Sequence, residues 1–249
     1  MSPETRVVVR LAAVAFLLST ITEAVVLPGR EKSPFDGLTP AGRLTGVDVS
    51  SHNPPYSWAA AAHSGLRFVI ARATEGDSRT DGRYASFKRG ARAAGLAFGA
   101  FHFARPDRNG RDAILEADYF LRAAGLGPGN LVPILDLETS GGLPVTNLQA
   151  WVRAWLEEVA AKLGARPMIY TNAAFWQQSM GDTTSFAEAG YRLAIASWGG
   201  TSPVVPAGNW GGRGWTLWQT SNCGRVAGVP GCIDTEVYDG SDLKPLTIS

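Results

Sequence analysis

Short apolar runs rich in β-forming residues alternate with helix-like stretches along most of this 249-residue chain. Such alternation favours parallel βαβ units, because a parallel connection needs a crossover of about a dozen residues or more that is usually helical. The predicted strands cover residues 45–49, 68–73, 97–103, 132–137, 167–171, 192–197, 215–219 and 233–238. The predicted helices cover residues 58–64, 84–94, 112–124, 147–163 and 173–179. Eight strands in this order predict an irregular β/α barrel of the α/β class.

The N-terminal segment has the pattern of an export signal. Arg6 and Arg10 precede an apolar run over residues 11–21, and Thr22-Glu23-Ala24 then supplies the small residues of a signal peptidase site. The run is shorter than the roughly 20 apolar residues of a transmembrane helix. We therefore predict a signal peptide over residues 1–24, a flexible tether over residues 25–43 and one barrel domain over residues 44–245. Retention of the first segment as an uncleaved anchor is the alternative.

After the fifth predicted helix the connections become rich in Gly, Pro and Trp, and none is predicted to contain a helix. The last connection carries both cysteines of the chain, Cys223 and Cys232. In an exported chain this close pair predicts a disulfide that closes a surface loop. A connection pinned in this way favours a long hairpin over a crossover. We expect about five βα units followed by three further strands, with the last strand antiparallel to the seventh.

Two carboxylates one residue apart, Asp136 and Glu138, stand at the end of the fourth apolar run. Side chains alternate along a strand, so both point to one face, where charge is costly unless it is paired or used. The pair indicates either acid–base chemistry or a buried salt-bridge set. Asp48 lies at the end of the first strand, and Asp234 opens the last strand. Asp234 reaches the same end of the barrel only if that strand is antiparallel.

Four carboxylates at one end of a barrel are typical of glycoside hydrolysis, in which one carboxyl protonates the leaving oxygen and another assists from the other side. Like charges raise each other's pKa and keep one carboxyl protonated near neutral pH. An oxygen-rich site also suits a divalent cation, but no phosphate-binding glycine loop accompanies these acids, so neither a metal nor a cofactor is predicted. The formal net charge of +1 argues against a nucleic-acid partner.

Aromatic, amide and polar side chains at the remaining strand ends would dock a sugar polymer. The candidates for substrate binding are Glu75, His102, Tyr170, Asn172, Trp198, Trp218 and Gln219. For His102 the alternative is a satisfied polar group behind the site. Trp151 and Trp155 are spaced i and i+4 on a predicted helix, so we expect them in the core.

Six short motifs occur in order along the chain. They are Gly-Val-Asp-Val-Ser-Ser-His at 46–52, Arg-Ala-Thr-Glu-Gly at 72–76, Gly-Ala-Phe-His-Phe at 99–103, Leu-Asp-Leu-Glu at 135–138, Trp-Gln at 218–219 and Ile-Asp at 233–234. Together they resemble the glycoside hydrolase family 25 lysozymes, the muramidases of the Chalaropsis type, over about residues 44–242. The resemblance implies an irregular β/α barrel that cleaves the β-1,4 bond between N-acetylmuramic acid and N-acetylglucosamine in peptidoglycan. It implies Glu138 as general acid, Asp136 as its partner at the substrate's 2-acetamido group, and Asp48 and Asp234 as the remaining acids.

The chain departs from this family pattern at three places, which we expect on the rim of the groove. Asn53 stands where Gln is common, Ser197-Trp198 stands where an Arg-Tyr pair is frequent, and Glu236 stands where the last motif usually has Asn. These departures bear on substrate preference rather than on the reaction. Glu236 also adds a carboxylate that would disturb the local titration.

Two other functions are compatible with such a barrel: a catalytically silent peptidoglycan-binding module and a chitinase-like hydrolase. The presence of all four acids disfavours the silent module. A chitinase-like strand would carry a further Asp at the position of Ile134. We therefore predict a monomeric, secreted or wall-associated hydrolase that acts on peptidoglycan glycan strands, with no stable membrane insertion after signal cleavage.

Overall fold

A computed structural model describes residues 42–54, 56–107 and 112–249 of the chain. The predicted signal peptide lies outside the described residues, as does the predicted tether apart from its last two residues. None of the helices within the described ranges is long and apolar enough to cross a bilayer.

All eight predicted strands are present, although the strand predicted at 215–219 ends five residues later at Gly224 and the short strand at 79–80 was not predicted. The strands are β1 Leu44–Val49, β2 Phe68–Glu75, β3 Arg79–Thr80, β4 Ala97–Phe103, β5 Ile134–Asp136, β6 Met168–Asn172, β7 Arg192–Ala196, β8 Leu217–Gly224 and β9 Ile233–Tyr238. The helices are α1 Trp58–His63, α2 Tyr84–Ala93, α3 Asp112–Ala124, α4 Val145–Leu163, α5 Ala173–Ser179, α6 Ser185–Glu188 and α7 Pro206–Gly211, followed by a 3₁₀ turn at Lys244–Leu246. The α/β prediction is confirmed.

The sheet closes into a barrel of eight strands, because β1 pairs with β2 on one side and with β9 on the other. The short strand β3 forms a hairpin on β2 and takes no part in the closure. Neighbouring barrel strands from β1 to β8 are parallel, whereas β9 is antiparallel to both β8 and β1. The predicted antiparallel last strand is therefore confirmed, and the start of β9 lies at the same end of the barrel as the ends of the other strands.

Alternation along the strands divides the apolar residues into two buried clusters. Inside the barrel, Ile70, Ile134 and Leu217 pack with Leu246 and Ile248 from the C-terminal segment. This segment is tied by backbone hydrogen bonds to Asn130 and Val132, next to the start of β5. It therefore closes the end of the barrel opposite the carboxylates. Outside the barrel, the other face of each strand packs against the helices, where Trp151 and Trp155 are buried as predicted.

The expectation that no helix follows α5 is wrong, since α6 and α7 both lie in this region. A four-residue helix such as α6 is too short to produce an apolar periodicity in the sequence. Within α7, the residues from Ala207 to Trp210 have positive φ near 55° and form a left-handed turn, which non-glycine residues rarely adopt. The turn places Trp210 in the core, where its indole N–H donates to the carbonyl of Tyr191 at 2.8 Å.

Candidate active site

An open cavity of about 260 Å³ lies inside the barrel, at the carboxyl ends of the parallel strands. Such a position is where β/α barrels carry their chemistry. Its lining combines carboxylates, amides and aromatic rings with a single guanidinium among the described residues. The lining residues are Asp48, Ser50, Ile70, Arg72, Phe101, Phe103, Ile134, Asp136, Glu138, Tyr170, Trp198, Gln219, Asn222, Asp234 and Glu236.

Strand register brings the four predicted acids into this one cavity. Asp48 on β1 lies directly across from Asp234 on the antiparallel strand β9. Asp136 ends β5 with Phe103 and Tyr170 as its neighbours on the two flanking strands. Glu138 follows two residues later on the same face, and it is the most solvent-accessible of the four. Asp136 is only 8% exposed, so the pair consists of one buried and one accessible carboxyl.

The two carboxyls of this pair both bind their protons more tightly than usual. Burial raises the pKa of Asp136 well above its ordinary value, and the charges of Glu138 and Asp48 add to this effect. Burial among the acids and the charge of Asp48 also raise the pKa of Glu138, against a hydrogen bond with Tyr170 that lowers it. Because repulsion disfavours ionisation of both members, the pair keeps a proton to higher pH than two isolated carboxyls would.

Asp234 and Asp48 form a second pair of interacting carboxyls. Burial and then the charge of Asp48 raise the pKa of Asp234 to about 8. Burial likewise raises the pKa of Asp48, while a hydrogen bond from Gln219 opposes the shift. Asp48 is thus the better candidate for the ionised member of this pair.

The Gln219 side chain joins the acids to the rim of the cavity. Its Oε1 accepts hydrogen bonds from the Tyr170 hydroxyl at 2.9 Å and from the Trp198 indole N–H at 3.0 Å. These two donors fix the orientation of the amide, so that Nε2 donates to Oδ2 of Asp48 at 2.7 Å. Trp198 remains 53% exposed, and its indole offers an apolar face at the mouth of the cavity.

Arg72 provides the guanidinium that lines the cavity, and acidic side chains that do not line the cavity hold it in place. Its Nε contacts Asp81 at 3.1 Å, and its Nη1 contacts Glu75 at 3.4 Å. Glu75 also pairs with Arg79 at 2.8 Å and with Arg105 at 2.6 Å. The three arginines thus engage both Glu75 oxygens, and Glu75 does not line the cavity. In this structure Glu75 is engaged by the arginines and anchors Arg72, and it is not placed in the cavity as the prediction for substrate binding expected.

His102 was also predicted to bind substrate, and the structure places it on the opposite face of β4. It is 0% exposed, with Nδ1 2.8 Å from the Thr74 hydroxyl and Nε2 2.6 Å from Glu116 Oε2, and its ring stacks on Trp155. Burial lowers the pKa of His102 to about 3 and raises that of Glu116 to about 7, so the imidazole is neutral. The alternative interpretation, a satisfied polar group behind the site, is the one that the structure supports.

Two further candidates are engaged elsewhere. Trp218 is buried on the outer face of β8, where its indole N–H donates to the Ser197 carbonyl at 2.6 Å. Asn172 caps α5, because its side-chain oxygen accepts from the Phe175 N–H at 2.9 Å. Neither residue lines the cavity.

Sequence reasoning did not assign eight of the lining residues to the catalytic or substrate-binding set: Ser50, Ile70, Arg72, Phe101, Phe103, Ile134, Asn222 and Glu236. Phe101 and Phe103 flank His102 on β4, and strand alternation relative to the acids would have placed these two inward. Asn222 is adjacent to Cys223, whose predicted disulfide with Cys232 is formed. The bridge therefore ties together the chain next to Asn222 and the start of β9.

Glu236 was expected on the rim of the groove, but it is 3% exposed and lies deep in the cavity. Asn53 forms a local turn instead of reaching the cavity, with its side-chain oxygen accepting from the Ser50 N–H at 2.8 Å. No group of three or more His, Cys, Asp and Glu side chains within the described ranges is arranged to hold a metal ion.

Comparison with known proteins agrees with this geometry. The profile of the glycosyl hydrolases family 25 matches residues 47–229. An N,O-diacetylmuramidase of Arthroderma benhamiae is 34% identical over 90% of this chain and 94% of its own length, and one of Chalaropsis sp. is 35% identical over 77% and 96%. A crystal structure of the bacterial lysozyme from Streptomyces coelicolor superposes with a TM-score of 0.77 at 31% identity, covering 83% of this chain and 97% of the lysozyme. The chain therefore belongs to glycosyl hydrolase family 25 and is a glycoside hydrolase.

Proposed function

We propose that the protein is an exported muramidase that cleaves the β-1,4 bond between N-acetylmuramic acid and N-acetylglucosamine in peptidoglycan. The observation that carries this proposal is the placement of Asp136 and Glu138 side by side in one cavity, with the accessible Glu138 in front of the buried Asp136. The relatives named as muramidases and lysozymes support the choice of substrate.

In this proposal Glu138 is the general acid. Because its pKa is raised, the carboxyl retains a proton that it can donate to the oxygen of the leaving sugar. General acid catalysis of this kind typically contributes about 10²–10⁴ in rate. Its position at the open side of the cavity leaves the carboxyl within reach of a bound glycan strand.

Asp136 is the partner that assists the substrate's 2-acetamido group. Its Oδ1 has no hydrogen-bond partner among the described protein groups, and the side chain lines the cavity, so the proposal assigns this oxygen to an amide N–H of a substrate that enters the cavity. Asp48 and Asp234 complete the acidic cluster, and the charge of Asp48 favours the protonated form of Glu138. Tyr170, Gln219 and Trp198 form the hydrogen-bonded wall on which the sugar rings dock.

Analysis of the digestion products tests the proposed reaction. Purified peptidoglycan is digested and reduced with borohydride, and the new ends are identified by mass spectrometry. We expect reduced N-acetylmuramic acid at every new end and no cleavage of chitin oligosaccharides. Reduced N-acetylglucosamine ends, cleavage of chitin, or the absence of products would each contradict the proposal.

Export rests on the sequence of residues 1–24, which lie outside the described residues. The proposal predicts that protein recovered from the culture medium begins at Val25. Intact protein retained with its first segment in the membrane fraction would indicate an anchor instead.

A further inference from the structure

Glu236 adds a fifth carboxyl to the cavity, and the sheet register directs it toward Asp48. On β9 it lies between Gly46 of β1 and Gln219 of β8. Gly46 has no side chain, and a Cβ there would overlap the Phe68 ring. The Glu236 carboxyl therefore meets no β1 side chain at its own level. The next β1 side chain on the same face is Asp48, two residues further along, and the two carboxyls are close enough to share a hydrogen bond. Its Oε2 is buried without a partner among the described residues.

A hydrogen bond between two carboxyls requires a proton on one of them, because a carboxylate can only accept. Asp48 receives the amide N–H of Gln219 at 2.7 Å, and this donor stabilises its ionised form. Glu236 receives no comparable donor, and none of the arginines or lysines of the described ranges forms an ion pair with Asp48, Asp234 or Glu236. The proton of the pair is therefore better placed on Glu236 than on Asp48.

The groups that face Glu236 do not favour a second negative charge. They are Asp48 on β1, Asp234 on β9 itself and the Tyr170 hydroxyl on β6, while Gln219 on β8 is neutral. Burial is the largest effect on Glu236 and raises its pKa well above the ordinary value, and the charge of Asp48 acts in the same direction. This shift agrees with the 3% exposure of Glu236 and with the lack of a cationic partner for it among the described residues.

We propose that Glu236 is held protonated in the working enzyme and donates a hydrogen bond to Asp48, as a positioning residue that fixes Asp48 as an anion. This inference rests on the proposed function, because it assigns Glu236 a part in the same reaction. The anionic Asp48 in turn favours the proton on Glu138, since its charge raises the pKa of Glu138. Glu236 thus acts through Asp48 and does not touch the substrate's reacting bond.

NMR of the side-chain carboxyl carbons tests the protonation state directly. The Glu236 resonance is assigned by its loss in Glu236→Gln, with Glu157→Gln on the exposed face of α4 as the control for a Glu-to-Gln change. We expect the Glu236 resonance to keep the shift of a protonated carboxyl at neutral pH. A resonance that titrates in the ordinary range of glutamate would overturn the proposal. So would a Glu236→Gln variant that does not fold, because the neutral isostere should be accommodated.

Kinetics on peptidoglycan test the role of the donor. The Glu236→Leu variant removes this donor, so the pKa of Asp48 rises and less negative charge faces Glu138. The pKa of Glu138 then falls, and the alkaline limb of the pH–rate profile moves to lower pH. We expect kcat/KM of Glu236→Gln to be at least tenfold higher than that of Glu236→Leu. The alkaline limb of Glu236→Gln should lie at the same pH as that of the parent. Equal losses in the two variants would overturn the positioning role. The NMR result does not depend on activity, so a protonated Glu236 in a protein without muramidase products would refute the proposed function alone.

Discussion

Replacement of Gln219 by Met is the perturbation that most clearly separates the electrostatics of the site from its packing. Gln219 is 4% exposed, and Met has a similar volume without hydrogen-bonding groups. The change removes a donor to the Asp48 carboxylate and an acceptor for Tyr170, while water can replace the bond to the exposed Trp198. A charge-assisted bond contributes about 1.5–3 kcal/mol and a neutral one about 0.5–1.5 kcal/mol. We therefore expect a loss of about 2–4 kcal/mol in the free energy of unfolding.

The loss should grow with pH, and the sign follows from Asp48. Its pKa in the folded protein lies above the ordinary value of 3.8, so folding stability falls as pH rises between these two values. Without the Gln219 donor the folded-state pKa rises further, and the interval over which stability is lost becomes wider. Denaturant unfolding at about pH 4 and about pH 8 should show a larger deficit of Gln219→Met at the higher pH.

Activity provides a second measurement on the same variant. A less ionised Asp48 and a released Tyr170 hydroxyl both lower the pKa of Glu138, so the alkaline limb of kcat/KM should move to lower pH. The matched variant Gln219→Glu keeps the acceptor for Tyr170 and Trp198 but adds a charge, so its deficit should be small in acid and severe near pH 8. Equal deficits of Gln219→Met at both pH values, with an unchanged alkaline limb, would refute this account of the cavity.

Three further changes have defined outcomes. Trp198→Ala should raise KM for peptidoglycan several-fold with a smaller effect on kcat, because an exposed indole contributes about 1–2 kcal/mol to docking a ring; an unchanged KM would exclude it from the binding surface. Asp234→Asn should increase stability at about pH 9, relative to its effect at about pH 4, by several kcal/mol, because a rise of the folded-state pKa from 3.8 to about 8 corresponds to about 6 kcal/mol; a pH-independent effect in denaturant melts would contradict the charge argument. The double change Cys223→Ser and Cys232→Ser opens a loop of about ten residues and should cost about 2–3 kcal/mol, measured against the oxidised parent; an unaltered midpoint would count against the bridge as a constraint on the unfolded chain.

Much of the fold was predictable because the chain keeps strand and helix periodicities separate. The bounds of β4, β9, α3 and α5 agree with the predicted ranges to the residue. The antiparallel direction of β9 followed from the position of the two cysteines, which indicated a hairpin in the last connection. The left-handed turn of α7 was not predictable, because its non-glycine positive φ values depend on the packing of Trp210 in the core.

The acids of the site were predictable because strand alternation places Asp136 and Glu138 on one face. The same alternation applied to His102 and Trp218 would have removed both from the site, because their sequence neighbours Phe103 and Gln219 point inward. The motifs had indicated that His102 and Trp218 lie near strand ends, but they did not decide on which face of the strand each side chain lies.

The role of Glu75 could not have been read from the chain. Two of its partners, Arg72 and Arg79, lie three and four residues away in the chain, whereas Arg105 reaches it from the segment after β4. Only the tertiary structure shows that Arg105 pairs with Glu75 and that Glu75 does not line the cavity.

The central claim is that Glu138 donates the proton in glycoside cleavage, and Glu138→Gln tests it most directly. The amide keeps the shape of the side chain but has no acidic proton, so kcat/KM on purified peptidoglycan should fall by about 10²–10⁴. The melting temperature, and co-sedimentation with insoluble wall, should stay close to those of the parent, with the surface change Glu157→Gln as control. A Glu138→Gln enzyme with the parent's fold, and with turnover within a few-fold of it, would contradict the assignment.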